Sequence, residues 1–136
     1  YEIPLRLVGS EMCIRDRSMQ VQSVLVPGAD GDLTAMADHA PLITTLRPGM
    51  LRVESGEGNQ EYLVTGGFAE IGTGLSVLAE QALLRADVTQ EIFDTLSADA
   101  KAAHDAAKSG GGDVDATSKR VADITAVGTE LGMTTR

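Results

Sequence analysis

The chain has 136 residues, of which 43% are hydrophobic, and this favours one domain, or one domain with an appendage. A formal net charge of −9 excludes nucleic acid bound through its phosphates and argues against direct contact with an anionic membrane surface. A single cysteine, Cys13, excludes an intrachain disulfide and agrees with a reducing compartment, and no apolar run approaches the roughly 20 residues of a membrane span.

Residues 1–18 differ from the rest of the chain. The end of this segment resembles translated library-adapter sequence, and we interpret residues 1–18 as a non-native segment. It lacks a basic region followed by an apolar block, so no signal peptide is predicted. Ile3, Leu5 and Leu7 alternate with other residues, and the segment is therefore also compatible with an imitation of a missing first strand.

Residues 19–86 carry short apolar runs separated by Gly, Pro and Asp. Turn signals at intervals of about 8–12 residues are typical of a β-sandwich or a flattened barrel. A tight turn is expected directly after Val26, a hairpin turn at Gly56–Asn59, and a bend or bulge at Gly66 and Gly67. The predicted strands are Gln20–Val26, Leu42–Leu46, Met50–Glu54, Glu61–Thr65, Phe68–Ile71 and Leu75–Ala79. With two Tyr, two Phe and no Trp, the core is expected to be aliphatic.

Residues 87–136 change to helical periodicity. Asp87 or Thr89 is expected to cap the first helix, and Gln90 follows Asp87 at the spacing of a capping box. The three glycines from Gly110 to Gly112 are expected to end this helix. The apolar stripe predicted for it consists of Val88, Ile92, Leu96, Ala100, Ala103 and Ala107.

A second, poorer helix is predicted from about Asp115. Val121, Ile124 and Leu131 share one of its faces, whereas Gly128 and two threonines lower its helix propensity. We expect the two helices to form an antiparallel hairpin. The predicted fold is therefore α+β, with a β-sandwich followed by an α-helical hairpin.

Four sequence blocks together indicate a family. They read V-P-G-x-x-G-D-L at Val26–Leu33, H-A-P-L-I-T-x-L at His39–Leu46, R-P-G-M-L-R-V at Arg47–Val53 and T-G-G-F-A-E-I at Thr65–Ile71. In this order and at these spacings they resemble the epsilon subunits of bacterial F-type ATP synthases. The resemblance is strong from about Met19 to Ala86 and continues more weakly through the helical tail.

The resemblance implies a non-catalytic component of the central stalk, without catalytic, cofactor or metal site. Such a subunit contacts the gamma subunit and the rotor ring, and it couples proton flow to ATP synthesis. It meets the membrane only indirectly, on the cytoplasmic face of the bacterial inner membrane. Its C-terminal helices are a possible contact with the catalytic subunits, through which ATP hydrolysis is restrained.

Two residues are candidates for these interfaces by resemblance. The family carries an acidic residue at the position of Asp32, facing the polar loops of the rotor ring, and it places the loop of His39 near the gamma subunit. A plain turn stabilised by side-chain to backbone bonds explains Asp32 equally well. Asp30 and Asp32 lack the spacing of an EF-hand, and no cysteine or nucleophile accompanies His39 in a recognisable motif.

The tail departs from some members of the family. Those that bind ATP carry an acidic residue followed by Arg-Ala on the first helix, and no arginine lies between Val88 and Leu96 here, so no ATP site is expected. Few basic residues follow Asp113, which predicts weak inhibition of hydrolysis. The alternative reading is a generic acidic β-sandwich that binds proteins without a catalytic role. A sugar-binding module and a small hydrolase are disfavoured by the few aromatic residues and the missing nucleophile–base pair.

Overall fold

The computed structural model describes residues 3–11, 17–36, 41–56, 58–72 and 74–133. They form two compact units, which divide between Asp87 and Val88. The first unit contains strands and a short 3₁₀ turn, and the second contains two helices. The strands are β1 (Ile3–Glu11), β2 (Arg17–Val21), β3 (Ser23–Gly28), β4 (Gly31–Met36), β5 (Leu42–Leu46), β6 (Gly49–Ser55), β7 (Gly58–Val64), β8 (Gly67–Ile71) and β9 (Leu75–Leu84).

The strands close into a flattened barrel. The ring runs in the order β9-β7-β6-β3-β5-β8 and closes because β8 pairs antiparallel with both β5 and β9. Two strands lie outside this ring on one side, with β1 parallel to β9 and β2 antiparallel to β1, while β4 pairs with β3. The predicted α+β class, a sandwich or flattened barrel followed by a helical hairpin, is confirmed.

The barrel interior is filled by alternate residues of the strands. In β6, for example, Leu51 and Val53 are buried, while Arg52 and Glu54, which alternate with them, are exposed. The core is aliphatic as expected, with one aromatic exception, Tyr62, which is fully buried. The hydroxyl of Tyr62 donates to Gln60 Oε1 at 2.6 Å, so this polar group is satisfied.

Three strand predictions need correction. The single strand predicted over Gln20–Val26 is two strands, because the chain bends at Gln22, whose N–H donates to the carbonyl of Glu54 at 2.7 Å. Strand β4 was not predicted, because its first residues, Gly31 and Asp32, have the chemistry of a turn, although Leu33 and Ala35 after them do face the core. Strand β9 continues to Leu84, well past the predicted end.

The N-terminal segment contributes to the sheet. Leu5 and Leu7 of β1 are buried in the barrel core, and their partners across the parallel ladder are Leu75 and Val77. The alternation of apolar residues therefore does build a strand. That residues 1–18 are non-native stays a prediction.

Helix α1 spans Gln90–Ala106 and is capped by Thr89, whose hydroxyl accepts from the N–H of Ile92 at 3.2 Å. The alternative cap, Asp87, is wrong, because this residue belongs to a 3₁₀ turn at Arg85–Asp87. The predicted capping box does not form either. The side chain of Gln90 donates to Asp94 Oδ1, one turn further along the helix, at 2.8 Å.

The two helices are joined at the glycines. Helix α1 passes into one π-helical turn, Ala107–Gly111, and the backbone leaves helical geometry at Gly110, with φ of 96°. Helix α2 then spans Val114–Leu131 and is capped by Asp113, whose carboxylate accepts from the N–H of Ala116 at 3.0 Å. The break at the glycines is confirmed, and α2 begins one residue before its predicted start.

The contact between α1 and α2 differs from the predicted stripe. Phe93 and Ser97 are buried on α1, and the predicted Ala103 is exposed. Phe93 and Ala100 form a core with Ile124 of α2. The interpretation of Gly128 as a simple weakness is wrong, since a Cβ built there would lie 2.4 Å from Cζ of Phe93. The close approach of α2 to this aromatic ring therefore requires glycine.

Candidate functional site

Two turns of the barrel are bound to each other. The first, Pro27–Asp32, joins β3 to β4, and the second, Thr45–Gly49, joins β5 to β6; we call them the paired turns. The N–H of Ala29 donates to the carbonyl of Thr45 at 2.9 Å, and the N–H of Arg47 donates to that of Pro27 at 3.0 Å. These reciprocal backbone bonds hold the turns as one element.

The paired turns are also in close van der Waals contact. A Cβ built on Gly49 of the second turn would lie 2.8 Å from Cβ of Pro27 in the first, so a side chain at Gly49 would push the two turns apart. Within the first turn, a Cβ built on Gly28 would lie 2.6 Å from the carbonyl oxygen of Gly31, so this turn can be tight only with glycine at that position. Gly49 therefore serves the packing of the turns against each other, and Gly28 serves the tightness of the first turn.

Asp32 lies within this element and has a charged partner. The guanidinium of Arg47 donates through Nη1 to the carbonyl of Gly28 at 2.7 Å, and through Nη2 it forms an ion pair with Oδ1 of Asp32. The side chain of Asp32 remains 50% exposed, and that of Arg47 is 26% exposed. The expected side-chain to backbone bond is thus replaced by a bond between two side chains, because Asp32 lies at the start of β4 beside Arg47, and half of the Asp32 side-chain surface stays exposed.

Sequence reasoning did not identify Arg47 as the partner of Asp32. The two charged residues are 15 positions apart, and no local motif links them. They meet because Gly28 of β3 lies opposite Leu46 of β5 in the sheet. Only the pairing of the strands in the folded chain brings Arg47 and Asp32 together, so the sequence contains no local sign of this pair.

The other interface candidate, His39, lies outside the described residues. Asp30, in the first of the paired turns, is exposed. Within the part of the chain that the structure describes, no group of three His, Cys, Asp or Glu side chains is arranged to hold a metal ion.

A patch of large apolar side chains lies on the outside of the barrel. Ile43 of β5, Phe68 of β8 and Leu78 of β9 are 70%, 55% and 53% exposed, and we call them the outer apolar patch. Phe68 pairs directly with Leu78, and Ile43 pairs with Glu70, which shares its face with Phe68. The three side chains therefore project from adjoining strands on one face.

The surroundings of the patch are polar. Thr45 lies opposite Phe68, and Glu70 and Ser76 continue the row that begins at Ile43, while Glu80 follows Leu78 on the same face. An apolar centre with a polar rim is the usual composition of a protein-binding surface. The patch could have been predicted in part from the sequence. Alternation along β8 and β9 places Phe68 and Leu78 on the same side as Glu70 and Glu80, and a glutamate is expected to face water.

A third cluster combines three charged residues of β6, β7 and the 3₁₀ turn. Glu61 accepts from Arg52 Nε at 3.0 Å through Oε1 and forms an ion pair with Arg85 through Oε2. All three side chains are partly exposed. Such surface networks contribute little to stability, and this one supplies a control for experiments on Arg47.

Among the described residues, neither helix has the length and apolar character needed to cross a lipid bilayer.

Comparison with known proteins places these features in a family. The family model described as the ATP synthase delta/epsilon chain, beta-sandwich domain, matches residues 3–85. The ATP synthase epsilon chain of Ruegeria sp. (strain TM1040) is 47% identical over 120 residues, which cover 85% of this chain and 88% of the relative. That of Fuscovulum blasticum is 50% identical over 116 residues, covering 85% and 86%.

Solved structures show the same fold. A chain of the Euglena gracilis mitochondrial ATP synthase (OSCP/F1/c-ring) superposes with a TM-score of 0.60 at 22% identity, covering 76% of this chain and 66% of the other. A chain of the Tetrahymena thermophila mitochondrial ATP synthase, from its central stalk and c-ring, has a TM-score of 0.57 at 16% identity and covers 89% and 97%. At these identities the likeness supports the fold alone. From the family model and the two bacterial relatives, we conclude that this chain belongs to the ATP synthase epsilon chain family.

Proposed function

We propose that the chain is a non-catalytic central-stalk subunit of a bacterial ATP synthase, which contacts the gamma subunit and the rotor ring and so couples proton flow to ATP synthesis. The observation that carries this proposal is the outer apolar patch on a barrel of the epsilon family. As a peripheral subunit it would reside on the cytoplasmic face of the inner membrane, held there by its partners.

The outer apolar patch is proposed as the surface that binds the gamma subunit. Ile43, Phe68 and Leu78 each keep half or more of their surface in water, which is costly for side chains of this size. Burial of the exposed part of each would contribute about 1 kcal/mol, by the usual value for a fully buried large apolar side chain. Strand β8, which carries Phe68, lies between β5 and β9 and so places Phe68 at the centre of the patch. Phe68 is therefore the best candidate for a dominant contact.

The paired turns are proposed as the contact with the rotor ring. Asp32 presents a half-exposed carboxylate there, which suits the polar loops that the family resemblance assigns to the ring. His39 is proposed, on the same resemblance, to lie near the gamma subunit. In the sequence it precedes β5, which carries Ile43 of the outer apolar patch.

The helical tail is proposed to restrain ATP hydrolysis only weakly. Of its few basic side chains, Lys119 is engaged within α2 by Asp123 at 2.9 Å. The acidic residues Asp113 and Asp115 lie at the start of the same helix. A helix of this charge has little electrostatic attraction for the acidic surfaces of catalytic subunits.

The proposal is tested by binding to a gamma subunit from one of the bacteria named above. Titration calorimetry with the full chain should give a dissociation constant that rises by tenfold or more for Phe68→Asp, about the effect of losing one interface hot spot. Val114→Asp is the matched control, because Val114 is also a large exposed apolar residue, 41% exposed, but lies on α2. It should leave binding unchanged.

Two results would contradict the proposal. Equal losses of affinity for the two variants would show that the patch has no special role. Absence of binding by the unaltered, folded chain would remove the gamma subunit as a partner and favour the generic acidic protein-binding module. Melting temperatures of both variants serve to exclude unfolding as the cause of lost binding.

A further inference from the structure

Arg47 occupies a position that links three parts of the paired turns. Its backbone N–H donates to the carbonyl of Pro27 at 3.0 Å, and its Nη1 donates to the carbonyl of Gly28 at 2.7 Å. Its Nη2 holds Oδ1 of Asp32. One residue of the second turn thus binds the first turn at its beginning and at its end.

We propose that Arg47 is a positioning residue, which fixes the carboxylate of Asp32 in one orientation for contact with the rotor ring. The planar guanidinium can place two parallel N–H donors on a carbonyl and a carboxylate at once, which a lysine ammonium cannot do with the same geometry. Because Nη2 holds Oδ1, the half-exposed Asp32 side chain presents its carboxylate in a defined direction. The proposal rests on the proposed role of Asp32.

The electrostatics of the pair support positioning over simple charge attraction. Arg47 places a full positive charge in contact with Asp32, so the pair is neutral as seen from more than a few ångströms away. A positively charged group on the ring is then not drawn to an isolated negative charge. The carboxylate instead acts at short range as an oriented hydrogen-bond acceptor, and its orientation determines whether the contact forms.

The packing of the turns explains why Arg47 can act this way. The side chain of Arg47 is mostly covered, at 26% exposure, whereas that of Asp32 is half exposed. The backbone beneath it is held by the contact of Gly49 with Pro27 and by the bond from Ala29 to Thr45. These contacts do not involve the side chain of Arg47, so its removal should release Asp32 without opening the turns.

The first measurement uses the free full-length chain. Three-bond Hα–Hβ couplings of Asp32, measured by NMR, should report a single rotamer in the unaltered protein and averaged values in Arg47→Met. Arg52→Met is the matched control, since Arg52 forms a comparable exposed ion pair with Glu61 at 3.0 Å elsewhere on the barrel. It should leave the couplings of Asp32 unchanged. Unchanged couplings in Arg47→Met would overturn the inference.

The second measurement is binding of the full chain, in complex with the gamma subunit, to a detergent-solubilised rotor ring from the same bacterium. Arg47→Met and Asp32→Ala should each weaken binding by about tenfold, in the range of one hydrogen bond to a charged group. The double variant should be no weaker than Asp32→Ala, because Arg47 acts only through Asp32.

Two further outcomes would overturn the inference. Effects that multiply in the double variant would show that Arg47 acts independently of Asp32, and tighter binding by Arg47→Met would show that it only competes for the carboxylate. Failure of the unaltered chain to bind the ring would overturn the proposed function, and with it the role of Arg47 at the ring. The NMR couplings are measured on the free chain, so they test whether Arg47 positions Asp32 even if the chain does not bind the ring.

Discussion

Replacement of Gly128 by alanine is expected to destabilise the helical hairpin, against the trend for glycine in helices. In an exposed helix interior, alanine is favoured over glycine by about 1 kcal/mol. At this position the new Cβ would lie 2.4 Å from Cζ of Phe93 and 3.0 and 3.1 Å from its two Cε atoms. Carbon atoms normally approach to about 3.5–4.0 Å, so the helix or the ring must move by about 1 Å.

The size of the effect follows from the lack of room. Phe93 has no exposed surface, and Ala100 and Ile124 pack with it in the same small core. Overpacking of a filled core costs about 1–3 kcal/mol, and a clash this deep belongs in the upper half of that range. After the gain in helix propensity is subtracted, Gly128→Ala should lower the free energy of unfolding of the hairpin by about 1–2 kcal/mol.

Amide hydrogen exchange along α2 measures this unit directly, since protected amides report the opening of their own segment. Ala122→Gly provides the propensity control, because Ala122 is exposed on the same helix and should lose about 1 kcal/mol through propensity alone. In a Phe93→Leu background the clash is relieved, and Gly128→Ala should then be neutral or stabilising. A gain of about 1 kcal/mol for Gly128→Ala in both backgrounds would refute the reasoning.

Two other predictions concern the tail and the barrel. Deletion of residues 110–136 should change ATP hydrolysis by the assembled enzyme only slightly, and a several-fold rise in the steady-state rate would show that the tail inhibits through contacts other than those of its few basic side chains. Gly67→Ala should abolish the cooperative thermal transition of the barrel, because its Cβ would lie 1.9 Å from the carbonyl oxygen of Leu78, at φ of 125°. Gly31→Ala is the control, because Gly31 also has a positive φ, 136°, but no atom lies within 4 Å of the new Cβ, so the cost should be only about 1–3 kcal/mol of backbone strain. Similar melting temperatures of the two variants would argue against the close approach at Gly67.

Local residue chemistry was sufficient for several features of the fold. The bend at Gly66 and Gly67, the strands over Leu42–Leu46 and Phe68–Ile71, and the break after α1 all follow from turn residues and short-range alternation. The four ordered blocks also indicated the family. These are properties of neighbouring residues, and they need no knowledge of which strands meet.

The sequence-based predictions were wrong where local residue preferences favour two structures or oppose the tertiary packing. Thr89 rather than Asp87 caps α1, because both residues can accept the same kind of bond and only the chain path into the helix selects between them. Strand β4 begins with the turn residues Gly31 and Asp32, which locally favour a loop, and its pairing with β3 makes them part of a strand. Gly128 was read by propensity as a defect, although the ring of Phe93 makes it necessary.

The sequence by itself determined the class of the fold, the division between strands and helices, the family, and Asp32 as a candidate contact. Only the tertiary structure decided that Asp32 is held by Arg47, and that Ile43, Phe68 and Leu78 form one patch. The physical reason is that short-range periodicity specifies which face of a strand a residue occupies. Strand pairing across the barrel specifies its neighbours, and the candidate sites here are made of such neighbours.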